Sequence, residues 1–153
     1  MNQLAIALLL SFSPISELRG GIPFAIANGI NPFVAFFSCI AINSLVAPII
    51  FLFLETAHKK LIKNKVYKNT FNKFLKKIER IKRRVGKAYT SYGLFALVLF
   101  VAIPFPSTGA WTASIVAWLL KLEKIKSILA ITLGVIIAGI IVSLATLGII
   151  KLF

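Results

Sequence analysis

Two apolar tracts of this chain, at about residues 4–30 and 94–120, are broken by polar segments. Glu17 and Arg19 are the residues best suited to chemistry, because they are the ionisable side chains inside these tracts. A charge at bilayer depth is costly unless it is paired or hydrated, which indicates a wet cavity and a role. Glu17 could take up and release a proton, while Arg19 stays charged and could bind a phosphate or carboxylate. The alternative is structural pairing of Glu17 with Arg19 or with backbone amides of the opposite tract, and the two interpretations are compatible.

The polar segments that interrupt the two tracts have the composition of turns rather than of membrane helices. They cover residues 13–23 and 104–109 and are rich in Ser, Pro and Gly. Lipid cannot satisfy the peptide groups of irregular backbone, so such breaks persist only where they line a polar cavity or are buried in protein. Two breaks at corresponding positions of two halves predict a transport-type site near the membrane midplane.

Further candidate residues surround the charged pair. Gly20 and Gly21 permit unusual backbone shapes, and prolines remove N–H donors at a turn. Ser107 and Thr108 could cap a helix starting near Ala110, whose free N–H groups would form an anion site or simply be capped. The predicted residues for transport, substrate or ion binding are Glu17, Arg19, Gly20, Gly21, Pro23, Asn43, Pro104, Pro106, Ser107, Thr108, Gly109 and Trp111.

Small residues at four-residue spacing mark one face of each uninterrupted apolar tract. Such faces permit close helix packing, and an Asn within them can hydrogen-bond to a neighbour. We interpret both as packing faces, with Asn43 as the exception that could contribute to a substrate path. The faces comprise Ala35, Cys39, Asn43 and Ala47 in one tract and Ala130, Gly134 and Ala138 in the other.

The composition indicates a single all-α integral membrane domain over residues 1–153. The chain is 59% hydrophobic with a mean hydropathy of +0.93, too apolar for a soluble domain of this size. Its order is predicted to be hairpin, span, basic segment, hairpin and span. The corresponding ranges are about 4–30, 33–54, 55–92, 94–120 and 127–150.

The distribution of positive charge predicts the topology. The net charge is +14, and 13 of the 18 basic residues lie between Lys59 and Lys87, with three more at positions 121–126. The positive-inside rule places segments 55–92 and 121–126 in the cytoplasm of a multi-pass cell-membrane protein. Both can lie on one side only if 94–120 enters the membrane and returns.

This charge parity predicts a re-entrant hairpin at 94–120, and analogy extends the prediction to the first tract. The two halves would then form an inverted repeat. For each tract the alternative is a single kinked helix. This alternative is more serious for the first tract, because the charge argument applies directly to 94–120 and reaches the first tract only by analogy.

The basic segment has apolar residues at helical spacing between Phe71 and Val85, which predicts an amphipathic helix. Such a helix could lie on anionic lipid or pack against its own protein. The basic residues border apolar tracts, which favours topology over nucleic-acid binding. A homodimer is plausible for so small a bundle.

Catalysis, metal binding and cofactor binding are not expected. The chain has one His, one Cys and no Asp, so it lacks the usual acid, base and nucleophile sets and any Cys/His metal cluster. It also contains no Walker-type phosphate loop. We therefore predict a non-enzymatic protein without a cofactor.

The two interrupted segments resemble the signatures of the small multidrug export protein family. These are residues 16–23, SELRGGIP, and 104–111, PFPSTGAW, and the layout is similar over nearly the whole chain. That family is grouped with the DedA/VTT membrane proteins, which implies paired re-entrant hairpins and, for some relatives, proton-dependent movement of lipid or polyprenyl-phosphate head groups. The resemblance implies a functional core of Glu17, Arg19, Pro104, Pro106 and Thr108. The chain lacks the longer acidic and arginine motifs of DedA proper.

Three functions therefore compete. The first is a transporter, coupled to protons or ions, with a midplane site between two hairpin tips. The second is a DedA-type flippase or scramblase for lipid or polyprenyl phosphate. The third is a non-transporting membrane scaffold whose basic helix binds lipid or a partner.

Overall fold

The computed structural model describes residues 2–86, 88–105 and 108–152, and this part of the chain is helical with no strand. Pro106 and Ser107, both predicted site residues, lie outside it. The helices are α1 (Gln3–Phe12), α2 (Glu17–Ala27), α3 (Pro32–Ser44), α4 (Val46–Leu61), α5 (Lys65–Val85), α6 (Ala88–Ala102), α7 (Ala110–Leu119) and α8 (Lys124–Leu152).

In the described part of the chain, two helical stretches are long and apolar enough to cross a membrane. They are Pro32–Leu61, which combines α3 and α4 over 30 residues, and Lys124–Ile149, which has 26 residues. A third span results if α5 and α6, which meet at a bend of 108°, count as one. The chain is therefore a multi-pass membrane protein, as its composition predicted.

The first span is interrupted at Leu45, where α3 ends and α4 begins. Proline explains the position of this interruption. Pro48 has no N–H to donate to the carbonyl of Ser44, four residues earlier, and its ring crowds that carbonyl. The break lies three residues before Pro48.

The first polar break is shorter than the sequence predicted. Only residues 13–16 leave the helix, and α2 already contains Gly20, Gly21 and Pro23. The glycines therefore serve close packing rather than unusual backbone shapes. A Cβ on Gly21 would collide with the Ser11 hydroxyl and lie 2.6 Å from the carbonyl oxygen of Ala7. The basic loop at 121–126 is also shorter than predicted, because α8 begins at Lys124.

Each broken tract folds back on itself as a pair of packed helices, here named the first hairpin (α1 and α2) and the second hairpin (α6 and α7). In the second, the hydroxyl of Tyr89 near the start of α6 donates to the carbonyl of Leu120 just after α7, at 3.1 Å. The open end of each hairpin lies at a different end of α8. Ala27 and Ile149 line one groove, whereas a Cβ on Gly93 would touch the Leu122 side chain.

Helix α5 is the predicted amphipathic helix, and it begins at Lys65. Its buried apolar residues Phe71 and Ile78 face the protein rather than water. The ring of Phe71 lies 4.4 Å from that of His58 and 5.7 Å from that of Trp118, measured between centroids. The contacts of Phe71 correspond to the alternative in which the helix packs against its own protein.

The small-residue faces are packing faces, as predicted. Ala35, Cys39 and Ala47 are fully buried, and Ala130 and Ala138 are nearly so. These faces let α3 and α8 approach their neighbours closely.

Candidate functional site

The end of α1 meets three side chains that satisfy its last carbonyl groups. The hydroxyl of Ser16 donates to Leu10, the amide of Asn43 donates to Ser11, and the indole N–H of Trp111 donates to Phe12. The distances are 2.6, 2.6 and 2.9 Å. The last carbonyls of a helix have no N–H partner within it, and these three donors satisfy the ones at the end of α1.

The start of α7 faces the carboxylate of Glu17. The Oε1 atom of Glu17 lies 3.5 Å from the backbone nitrogen of Trp111, and the carboxylate also faces the amide of Ala110. A carboxylate is the group that a helix N-terminus prefers, because free N–H groups and the helix dipole both attract it. The first hairpin therefore supplies the anion for the second.

Gly109 makes room for that carboxylate. A Cβ on Gly109 would coincide with the carboxyl group of Glu17. The backbone of Gly109 is extended, with φ 171°, so its conformation does not require glycine. The requirement is space. Glu17 itself has a left-handed φ of 47°, which is uncommon for a residue with a Cβ.

Arg19 contacts the second tip through Thr108. Its Nη2 donates to the Thr108 carbonyl and lies 3.5 Å from the Thr108 hydroxyl. The Glu17 carboxylate attracts Arg19, but among the described residues no direct ion pair joins them. Of the two structural pairings considered from sequence, the geometry corresponds to Glu17 with backbone amides.

Thr108 does not cap α7, contrary to the sequence prediction. Gly109 holds the capping position, with no side-chain hydrogen bond. The Thr108 hydroxyl instead lies 2.8 Å from the carbonyls of Ile103 and Phe105 and 3.2 Å from the Phe105 amide. It closes the turn after α6, and the space at the start of α7 is left to Glu17.

A groove of about 390 Å³ runs beside the meeting point of the tips, between α2 and α8. Arg19, Pro23 and Pro104 line it, so two of the predicted site prolines lie in its wall. Its other walls are almost entirely apolar.

Gly20 lies against Ser16 within the first hairpin, where a Cβ would sit 2.6 Å from the Ser16 Cβ.

The structure thus brings together Glu17, Arg19, Asn43, Thr108, Gly109 and Trp111 from three separate parts of the chain. Sequence reasoning missed Ser16 and Phe12, which cap and contact the first tip. Phe12 packs edge-on against Trp111, with ring centroids 5.8 Å apart. Ser16 carried a usable signal, since it follows an apolar run and precedes the start of a helix. Among the described residues there is no group of three His, Cys, Asp or Glu that could hold a metal.

Comparison with known families gives one match. A family model described as "Putative small multi-drug export protein" matches residues 17–141, which include Glu17 and Arg19, the second hairpin, the first span and most of the second. Comparison with curated proteins and with solved structures found no match. The matched region covers most of the chain and begins at Glu17. The chain belongs to this family of small multi-drug export proteins.

Proposed function

We propose that the protein is a small membrane transporter coupled to protons or ions, with its site between two re-entrant hairpin tips. The family description supports export, and the two spans support a membrane location. The fold-back of each hairpin and their openings at opposite ends of α8 support an inverted repeat.

The observation that carries the proposal is the position of the Glu17 carboxylate at the start of α7. The carboxylate and Arg19 link the tip of the first hairpin to the tip of the second, where each hairpin turns from one helix to the next. Protonation of Glu17 would remove its charge and weaken its hold on the α7 amides. The tips could then separate and expose those amides, which couples a proton to the opening of the site.

A scrambling or flipping activity of DedA type is the second candidate. The groove between α2 and α8 supports it, because this groove is apolar and reaches Arg19 near the tips. We also propose that the exposed basic residues of α5 bind anionic lipid, since Lys73, Lys76 and Lys77 face outward while Phe71 and Ile78 pack inward. Quenching of labelled lipid by dithionite in proteoliposomes tests the scrambling activity, and a rate equal to that of empty vesicles counts against it.

Transport into proteoliposomes with an imposed pH gradient tests the main proposal. The probes are ethidium as a cation and anilinonaphthalenesulfonate as an amphipathic anion. We expect protein-dependent uptake of at least one probe, and loss of its pH dependence in Glu17→Gln. Glu79→Gln is the matched control, because Glu79 is exposed on α5. No uptake of either probe, or unchanged pH dependence in Glu17→Gln, would contradict the mechanism.

A further inference from the structure

The charged group of the groove between α2 and α8 has few protein partners. Both hydrogen bonds that the structure gives Arg19 run from Nη2 to Thr108. A guanidinium carries five N–H donors, so most of its capacity remains for another acceptor. No carboxylate forms a direct ion pair with it among the described residues.

The walls of the groove have a different character from its charged end. Pro23, Ala27, Val142 and Ala145 are apolar, and the hydroxyl of Thr146 is already bonded to the carbonyl of Val142 at 2.7 Å. The groove extends from Arg19 to Ala27, the last residue of α2. Within the described part of the chain, the groove therefore presents one cationic group and a long apolar surface.

A second groove of about 350 Å³, between α3 and α8, provides the contrast. Phe36, Phe37 and Ile140 line it, and none of its described lining residues is charged. Lipid chains are sufficient to cover such a surface. The groove with Arg19 differs in its unfilled donors, and a volume of about 390 Å³ lies within the range of pockets that hold small ligands.

We propose that the groove between α2 and α8 binds an amphipathic anion, with its charged group on Arg19 and its apolar body along α2 and α8. The inference rests on the proposed function, because it names the substrate class of the same site. A sulfonate, phosphate or carboxylate can accept two of the remaining guanidinium N–H groups in a bidentate pair. The apolar body of the anion covers the apolar walls of the groove.

Calorimetric titration of the protein in maltoside micelles tests this substrate class without any gradient. The probes are octanesulfonate, its neutral isostere octanesulfonamide, and methanesulfonate, which has the charge but not the chain. We expect octanesulfonate to bind at least tenfold more tightly than either of the others. Equal affinity for octanesulfonate and octanesulfonamide would overturn the proposal.

Variants locate the binding. Arg19→Gln and Ala145→Phe should each weaken octanesulfonate binding tenfold or more, the first by removing charge and the second by filling the groove. Leu147→Phe fills the other groove, and Lys59→Gln with Lys60→Gln removes exposed charge near the end of α4; both should leave the affinity unchanged. If Arg19→Gln does not fold, Ala145→Phe decides alone. Undiminished binding in Ala145→Phe would overturn the proposal.

Competition distinguishes the two sources of such an anion. Displacement of octanesulfonate by phosphatidylglycerol assigns the groove to a lipid head group, and resistance to displacement assigns it to a free solute. Either result requires the binding at Arg19 to stand. Binding is also independent of transport, so intact binding without uptake would refute the transporter and leave the site in place.

Discussion

Each hairpin tip contains a helix end whose free backbone groups need partners, and the two tips supply those partners with groups of opposite character. At the first tip a helix ends, and its last carbonyls accept from three neutral donors on Ser16, Asn43 and Trp111. At the second tip a helix begins, and its amides face the anionic carboxylate of Glu17. Each tip is thus completed partly by residues from the other.

This difference shows where a controllable charge can lie. Neutral donors satisfy carbonyls at every pH, so the first tip is a fixed structural joint. The second tip depends on a group that can gain a proton, and a carboxylate that becomes neutral loses its attraction to a helix N-terminus. A proton-coupled movement should therefore begin at the second tip.

Asn43→Leu should give the largest loss of stability, because it removes the amide donor and leaves the buried Ser11 carbonyl without it. Asn43 is 1% exposed, and its Nδ2 lies 2.6 Å from that carbonyl oxygen. We expect a loss of about 1–3 kcal/mol in the free energy of unfolding, measured by denaturant titration in micelles. Asn72→Leu on the exposed face of α5 is the control, and equal losses would show that the first tip is not a structural joint.

Trp111→Phe sharpens the comparison by removing one donor while keeping an aromatic ring. The variant loses the hydrogen bond to the Phe12 carbonyl and retains the packing against the Phe12 ring. The free energy of unfolding should fall by about 1–2 kcal/mol. Trp118→Phe, at the far end of α7, serves as the control. A Trp111→Phe variant as stable as the parent would remove this bond from the account.

Gly109→Ala should displace the Glu17 carboxylate from the start of α7, because the added Cβ occupies its position. Loss of a cap of this kind lowers stability by about 1 kcal/mol. The larger effect should be on transport, which should lose its pH dependence as in Glu17→Gln. Gly148→Ala adds the same atom where nothing lies within 4 Å. Retained pH dependence in Gly109→Ala would separate the second tip from proton coupling.

Glu55→Gln tests a charged contact away from the tips and should have the smallest effect. Glu55 pairs with Lys124 at 3.0 Å, and both side chains are about 40% exposed. Exposed pairs contribute below about 1 kcal/mol and weaken with salt. Unfolding in low and high salt should show a small, salt-dependent loss. A loss larger than that of Asn43→Leu would reverse the proposed ranking.

Much of this arrangement followed from the sequence alone. Hydropathy predicted both spans, although the first, predicted as 33–54, continues to Leu61, and the amphipathic pattern predicted α5. The polar clusters indicated that Glu17, Arg19 and Thr108 belong near the breaks. These inferences succeed because burial and helical periodicity leave a direct record in residue order.

The partners of the site residues could not be predicted in the same way. Sequence reasoning offered Ser107 and Thr108 as the cap of α7 and, as a separate alternative, the pairing of Glu17 with backbone amides of the opposite tract. Which of these holds at the start of α7 depends on the three-dimensional approach of Glu17. The helical position of Gly20 and Gly21 was missed for a similar reason. Their flexibility is a property of the residue, whereas their close packing is a property of the neighbouring α1.

The most direct test of the account is the sidedness of the loops. Single cysteines at positions 28, 63 and 123, on a Cys39→Ala background, can be labelled with an impermeant maleimide from either side of oriented vesicles. All three native residues are exposed. The account predicts that positions 63 and 123 react from one side and position 28 from the other. Reaction of positions 63 and 123 from opposite sides would contradict it, because the second hairpin would then cross the membrane.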